Sequence, residues 1–144
     1  MVNQSSYKWG YVHGSFTPRT ALVNLSKDLD VGLVDFRKVG FFGSPGIDLF
    51  NFVFELDVSV RDKYETLMIE TYWEALGNSG VDLNEYSLRQ LWDDYRVLGS
   101  SQKIAYTAGM AFSLDQEILD RFDEAIAYHK LTPEEMVTPS YHWF

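Results

Sequence analysis

The fold prediction starts from residues 11–48, YVHGSFTPRTALVNLSKDLDVGLVDFRKVGFFGSPGID, where turn-forming, β-branched and ionisable residues are concentrated. Residues 21–25 and 31–36 are two β-prone apolar runs separated by a short polar segment, a pattern that predicts a β-hairpin. Residues 13–15, His-Gly-Ser, predict a tight turn ahead of it. Residues 40–46 hold three glycines and a proline, so we expect a loop there.

Helix start signals follow this stretch. Ser44 before Pro45 is typical of an N-cap with proline at the first helical position, and it predicts a helix that runs to about residue 56. Ser59-x-x-Asp62 has the spacing of a capping box and predicts a second helix, which residues 77–80 end. The second helix carries an apolar stripe at spacings of three and four, which we expect to face inward: Tyr64, Leu67, Met68, Thr71, Tyr72, Ala75 and Leu76.

Three further starts are predicted at residues 87, 113 and 132, where a serine or threonine is followed three residues later by Gln or Glu. They open a third helix, a fourth helix and one last turn, and residues 99–101 are expected to kink or break the third. The expected inward residues are Leu88, Leu91, Trp92 and Tyr95 in the third helix, and Leu114, Ile118, Phe122, Ala125 and Ile126 in the fourth.

Length and patterning together predict a single domain, residues 1–144, of the mostly helical α+β class. A small β-hairpin and an active-site-like loop rest on a helical bundle. At 144 residues and 46% hydrophobic content the chain is long and apolar enough to bury a core. We expect residues 1–10 to be a flexible start and residues 131–144 a C-terminal tail, whose aromatic end docks into a groove or meets a partner.

Charge and composition exclude several classes of function. The net charge of −9 repels phosphate backbones, so nucleic-acid binding is not expected, while a cationic partner or plain solubility fits. The absence of cysteine removes disulfides, thiol catalysis and Cys-zinc sites, and His129 and His142 lack partners at zinc-ligand spacing. With neither a signal peptide nor an apolar membrane span in the sequence, we expect a cytoplasmic protein with no membrane partner.

The motif order resembles a known family. A His-Gly turn, an apolar strand, a loop, Val34-Asp35-Phe36 and then GSPGIDL, residues 43–49, are similar to the aminoglycoside phosphotransferase and choline-kinase-like superfamily, most of all its ecdysteroid-kinase-like branch. Residues 72–76 and 86–96 also resemble later helices of that family. The likeness covers about residues 11–126 and implies that residues 11–130 correspond to the C-terminal lobe alone. We expect no room before Tyr11 for the upstream lobe with its phosphate-binding lysine.

The resemblance implies a role for each matching residue. His13 would be the loop histidine that braces the turn, and Ser15 stands where the family has the base-like Asp. Thr20 stands at the place of the metal-holding Asn, and Asp35 matches the Asp that coordinates Mg²⁺ on the phosphates of ATP. Asp48 matches a carboxylate that hydrogen-bonds the backbone of the catalytic loop.

The basic residues near the loop are Arg19, Arg37 and Lys38, and they could hold a phosphate or another anion, or only balance surface charge. His13, Ser15 and Asp35 also have structural readings, as a buried histidine, a turn residue and a hydrogen-bonded strand-end acid.

Two departures from the family pattern bear on activity. A serine hydroxyl is neutral near pH 7 and does not accept a substrate proton without a base of its own. Ser15, at the position of the family's base-like Asp, is therefore not expected to act as the catalytic base. Thr20 offers one neutral oxygen to a metal where Asn offers a carbonyl, so any Mg²⁺ would depend mainly on Asp35. The sequence therefore predicts a degenerate phosphotransferase homologue, with little or no catalysis and weak binding of Mg²⁺ and ATP.

Two other functions stay open at this point. The chain could be an active kinase half whose upstream lobe comes from another chain or a longer gene product, acting on a small cationic or hydroxyl-bearing ligand. Alternatively, it is a non-catalytic binding or assembly module that uses the surface left by the missing lobe, through an N-terminal-lobe partner or by self-association.

Overall fold

The computed structural model describes residues 10–24, 30–36, 41–103 and 116–136. The chain is mostly helical with small antiparallel sheets, which confirms the predicted α+β class. The strands are β1 (Gly10–Val12), β2 (Ala21–Asn24), β3 (Asp30–Leu33) and β4 (Phe41–Gly43). The helices are α1 (Pro45–Phe54), α2 (Val58–Asn78), α3 (Leu88–Asp93), a π-helical segment (Asp94–Gly99), α4 (Gln116–His129) and α5 (Pro133–Met136).

The four strands form two separate antiparallel pairs. β2 and β3 pair as the predicted hairpin, with Val23 opposite Val31. β1 pairs with β4, and Gly10 lies opposite Gly43. The prediction of a loop over residues 40–46 was therefore wrong at its centre. The glycine content of that segment indicates a turn locally, but a partner strand about 30 residues earlier in the chain draws residues 41–43 into a sheet.

Helix α1 begins as its sequence predicts. The Ser44 side chain accepts a hydrogen bond from the backbone N–H of Gly46, and Pro45 occupies the first helical position. The helix lies in the core, where it buries Ile47, Leu49, Phe50, Val53 and Phe54.

Helix α2 differs from its prediction at its start and on its inward face. Asp57, not Ser59, is the N-cap, and its carboxylate accepts from the Ser59 N–H. The buried residues are Arg61, Glu65 and Ile69, whereas Tyr64, Leu67, Thr71 and Ala75 of the predicted stripe are exposed. Met68, Tyr72 and Leu76 are partly buried, as expected. The error has a physical cause: Arg61 and Glu65 carry charges that favour water until partners from other helices surround them.

The later helices follow their predictions more closely. Ser87 and Gln90 form the expected reciprocal capping box, and Leu91 and Tyr95 are buried. Residues 99–101 do not break the helix, since the π-helical segment ends at Gly99 and helical structure continues to Lys103.

Helix α4 buries Phe122 and Ala125, and the last turn, α5, is capped through Thr132 and Glu135. The predictions for residues 1–9, 25–29, 37–40, 104–115 and 137–144 lie outside the described residues. In the part of the chain that is described, no helix is both long and apolar enough to cross a bilayer.

Candidate functional site

The turn at residues 13–15 is held by a carboxylate from helix α1. Asp48 Oδ2 accepts from the His13 N–H at 2.6 Å, and Oδ1 accepts from the Gly14 N–H at 2.9 Å. Gly14 has φ 74°, a left-handed conformation in which glycine has no steric penalty. One side chain 34 residues later in the sequence therefore fixes the direction of two successive N–H groups of the loop.

The environment of Asp48 shifts its acidity. Burial raises the pKa of the Asp48 carboxyl above its ordinary value, and the N–H groups of His13 and Gly14, which hydrogen-bond the ionised form, oppose that rise.

The His13 ring connects the turn to Val34, the residue that follows strand β3. The carbonyl of Val34 can only accept, so the ring contact of 3.2 Å has Nε2–H as donor. Nδ1 accepts from the Ser15 N–H at 3.3 Å, which fits the same neutral tautomer. Phe36 packs against the ring with centroids 4.9 Å apart. Both ring nitrogens are thus engaged with backbone, in agreement with a bracing histidine.

Thr20 closes the other end of this loop. Its side chain is buried, and its hydroxyl accepts from the Thr17 N–H at 2.9 Å. The same hydroxyl lies 2.9 Å from the carbonyl oxygen of Thr17 and 3.2 Å from that of Ser15. The Thr20 carbonyl then accepts from the Val34 N–H at 2.9 Å. The hydroxyl that the sequence assigned to a cofactor is therefore used to hold the loop.

Asp35 follows Val34 directly and adopts a left-handed backbone, with φ 65°. This conformation is uncommon for residues other than glycine, although Asp and Asn tolerate it best. Because the loop contacts Val34 through both His13 and Thr20, residues 13–20 and Asp35 are brought into one neighbourhood. Arg19 is exposed, and Arg37 and Lys38 lie outside the described residues.

The described residues offer limited ligands for a metal. Among them, no group of three or more Asp, Glu or His side chains is arranged to hold an ion. Asp35 directly follows Val34, the residue that both His13 and Thr20 contact. In proteins Mg²⁺ usually takes only one or two carboxylates, and phosphate oxygens and water complete its shell.

Comparison with known proteins adds no relative. No protein-family model, curated protein or solved structure matches the chain.

A second ionisable group, Asp94, anchors the start of helix α1. It is buried in the π-helical segment, and its Oδ2 accepts from the Ser44 hydroxyl at 2.8 Å and from the Tyr86 hydroxyl at 2.7 Å. Burial raises the pKa of Asp94 to about 6, although both hydroxyls favour the ionised form. Nothing local in the sequence distinguishes this residue, because two adjacent acids in a helix are typical of a solvated surface.

We expect the free energy of unfolding of Asp94→Asn, measured relative to that of the native chain, to increase as the pH rises. The folded pKa of Asp94 lies above the unfolded value, so its contribution to stability is present below pH 3.8 and lost as the pH rises through 6. Asn lacks this titration and keeps an acceptor for both hydroxyls. The difference in unfolding free energy should change by about 2–3 kcal/mol between pH 4 and pH 7, as the pKa difference implies.

Urea denaturation at a series of pH values measures this difference. Asp123→Asn, on the exposed side of α4, is the matched control for losing one negative charge. A difference between Asp94→Asn and the native chain that stays constant across this range would contradict the raised pKa.

Proposed function

We propose that this chain is a degenerate counterpart of the C-terminal lobe of an ATP-dependent small-molecule phosphotransferase. It holds a magnesium–nucleotide weakly and has lost efficient phosphoryl transfer. The related activities would be those of the aminoglycoside, choline and ecdysteroid kinases named above.

The observation that carries the proposal is the contact of Asp48 with the His13 and Gly14 N–H groups. The resemblance implied this contact for the matching carboxylate, and the two segments are far apart in sequence. The bonds from His13 and Thr20 to Val34 support it further, since Val34 directly precedes Asp35. A loop and an acid arranged in this way suit the positioning of phosphates, which is the main contribution of a protein to phosphoryl transfer.

The loss of transfer follows from the side chains of the loop. Ser15 offers no carboxylate to orient an acceptor hydroxyl or to receive its proton. Thr20 uses its hydroxyl on backbone groups of the loop. Asp35 would then hold Mg²⁺ alone among the described residues, and the ion would bridge to the phosphates and balance part of their charge.

We expect ATP with Mg²⁺ to raise the melting temperature, and Asp35→Asn to abolish that rise. With a dissociation constant of about 1 mM and about 10 mM ligand, the stabilisation is about 1.4 kcal/mol. For a chain of this size that corresponds to roughly 5 °C. Asn is the appropriate replacement because it tolerates the left-handed backbone of residue 35 while removing the charge.

Differential scanning fluorimetry with ATP, with and without EDTA, measures the effect. Asp30→Asn is the control, since Asp30 is an exposed acid of the same hairpin. The proposal fails if the native chain shows no magnesium-dependent rise, or if Asp35→Asn and Asp30→Asn respond equally.

A second candidate function, self-association as an assembly module, rests on the β2–β3 hairpin. Leu22, Val23, Val31 and Phe36 are each at least half exposed. Val23 and Val31 are cross-strand partners and so share one face, while Leu22 lies on the opposite face. Among the described residues β2 and β3 have no further strand partner, and unpaired strand edges pair readily with a second copy. Apolar exposure of this kind marks interaction surfaces.

Sedimentation velocity over a hundredfold range of concentration tests this candidate. We expect a concentration-dependent dimer that is weakened severalfold by Val23→Thr with Val31→Thr, which keeps β-branched side chains. Val58→Thr with Val60→Thr, at the exposed start of α2, makes the same change elsewhere and should leave the dimer intact. A monomer at every concentration would exclude self-association through the hairpin.

A further inference from the structure

One side of helix α2 carries a mostly apolar row of side chains that the rest of the fold leaves exposed. Val60, Tyr64, Leu67 and Thr71 follow one another at spacings of four, three and four, so they lie along one side of the helix. All four are exposed, and Leu67 is 58% exposed. Other residues of α2 pack on the core and line a charged pocket beside β1. A continuous row of this kind, here named the α2 face, marks an interaction surface.

The α2 face has the spacing of a coiled-coil contact between two helices. With Tyr64 and Thr71 at heptad position a, Leu67 is at position d. The residues directly before the two a positions, Lys63 and Glu70, are then at position g, and both are exposed. Lys63 Nζ lies 4.9 Å from the centroid of the Tyr64 ring, which places its charge at the border of the α2 face.

The two g charges do not neutralise each other within one chain. Lys63 and Glu70 are seven residues apart, about 10 Å along the helix axis, and no ion pair joins them. Charges at positions e and g of a coiled coil set the choice and the direction of the partner. The α2 face therefore favours a partner helix that presents an acid opposite Lys63 and a base opposite Glu70.

A second copy of α2 meets this requirement when it packs antiparallel. Two antiparallel helices set position g against position g, and a two-fold axis makes each contact occur twice. Lys63 then faces Glu70 of the second copy, and Glu70 faces Lys63. The same register packs Tyr64 against Leu67 on both sides of the axis. At each end of the contact Val60 meets Thr71.

A parallel pair of α2 helices lacks this complementarity. In a parallel pair position g faces position e of the partner, five residues further along the chain. Lys63 would face Met68 and Glu70 would face Ala75, and neither Met68 nor Ala75 carries a charge. Met68 is moreover packed against the core of its own chain.

We propose that α2 is a self-association surface, on which two copies of this chain pack antiparallel through the α2 face. The exposed acids Asp57 and Glu74 bound the contact and keep it to about three helical turns. Four side chains per copy cover less than the roughly 800 Å² that each partner contributes to a standard interface, so the dimer is weak and reversible. The proposal does not rest on nucleotide binding at Asp35, and either can fail without the other.

Charge reversal with sedimentation velocity tests the antiparallel pairing. Protein concentrations reach about 1 mM, in about 0.15 M salt to screen the repulsion between two chains of net charge −9. Lys63→Glu and Glu70→Lys each place like charges opposite one another twice, and each should weaken the dimer at least about tenfold. Arg89→Glu, at an exposed position of α3, is the matched control and should associate like the native chain.

Two combinations restore opposite charges and should restore the dimer. The double variant Lys63→Glu with Glu70→Lys exchanges the two charges and should associate like the native chain. A mixture of the two single variants should form a heterodimer, although neither variant associates well alone. A merely structural role of either residue predicts no such rescue.

Association through the β2–β3 hairpin is distinguished in the same measurement. Leu67→Gln should weaken a dimer formed through the α2 face at least about tenfold, since each copy loses an apolar contact beside the axis. Val58→Thr with Val60→Thr removes an end contact of the α2 face and should weaken this dimer, whereas association through the hairpin is insensitive to it. Val23→Thr with Val31→Thr should give the reverse pattern.

Three results would overturn the proposal. The first is a native chain that stays monomeric at every concentration. The second is a charge-exchanged double variant that associates as weakly as the single variants, and the third is a mixture of the single variants that forms no heterodimer. Weakening by the hairpin substitutions alone would assign the dimer to the hairpin instead and would exclude the α2 face.

Discussion

Gly46→Ala should lower the free energy of unfolding by about 3 kcal/mol, at the upper end for overpacked sites. A Cβ at this position would lie 2.4 Å from the backbone nitrogen of Tyr95 and 2.5 Å from the carbonyl carbon of Asp94. Backbone atoms inside a packed helix cannot rotate away as a side chain can. Helix α1 and the π-helical segment would therefore have to separate.

Gly99 makes the same contact from the opposite side. A Cβ there would lie 2.4 Å from Phe50 Cβ and 2.9 Å from the Gly46 carbonyl oxygen. Helix propensity alone predicts the opposite sign at Gly46, because alanine in a helix is favoured over glycine by about 1 kcal/mol. The sign of the measured change therefore decides between packing and propensity.

Thermal and urea denaturation of Gly46→Ala measure the effect, and the melting temperature should fall by roughly 10 °C. Gly77→Ala is the matched control in α2, where the nearest atoms to the new Cβ belong to the flexible Leu83 side chain and not to backbone. We expect that variant to be neutral or slightly more stable. A stabilised Gly46→Ala protein would show that α1 and the π-helical segment are not in close contact.

Arg61→Met should also destabilise the fold by about 3 kcal/mol, since removal of one buried charge leaves its neighbours uncompensated. Arg61 is 4% exposed, and its guanidinium donates to Glu124 Oε1 at 2.8 Å. One helical turn later Glu65 is 2% exposed, and its carboxylate accepts from the Tyr95 hydroxyl. Met keeps much of the volume of arginine and none of the charge, so the change isolates the electrostatic loss.

The double variant Arg61→Met with Glu65→Gln should recover part of that loss, because it removes both buried charges together. Arg89→Met, on the exposed side of α3, is the control for losing one surface arginine and should cost little. Equal stability of Arg61→Met and Arg89→Met in urea denaturation would show that the buried cation makes no net contribution.

His129 provides an independent readout of Arg61. Its pKa is lowered to about 4, first by burial and then by the charges of Arg61 and Arg96. Because the folded pKa lies below the unfolded value of 6.5, the contribution of His129 to stability is lost as the pH falls from 6.5 through 4. In Arg61→Met this pKa should rise, which an NMR titration of the imidazole protons measures.

For the candidate site, the residues that take part could be predicted from the sequence, but only some of the contacts between them could. The resemblance paired Asp48 with the backbone of residues 13–15, and the two hydrogen bonds confirm that contact. The use of the Thr20 hydroxyl on the loop itself was not foreseen, because Thr17 and Ser15 carbonyls reach it only once the loop is folded. The charged pocket beside β1 was not foreseen either, since Asp48 lies in α1 and the other two acids, Asp82 and Glu85, lie in the segment that follows α2.

What the sequence by itself determined are the features that depend on neighbours in the chain. The cap at Ser44 and the capping box of Ser87 and Gln90 involve groups within three residues of one another, and the β2–β3 hairpin pairs residues at most 12 apart. Local hydrogen bonds and backbone preferences settle such features before any distant contact forms.

Only the tertiary structure decided the pairing of β1 with β4, the inward face of α2 and the close contact at Gly46. Each depends on a partner about 30 or more residues away: Gly43 for Gly10, Glu124 for Arg61, and Tyr95 for Gly46. The free energy of burying a charged side chain, or of packing backbone against a glycine, depends on the atoms that surround it in the folded state. No local pattern in the sequence of residues 11–48 or of α2 contains that information.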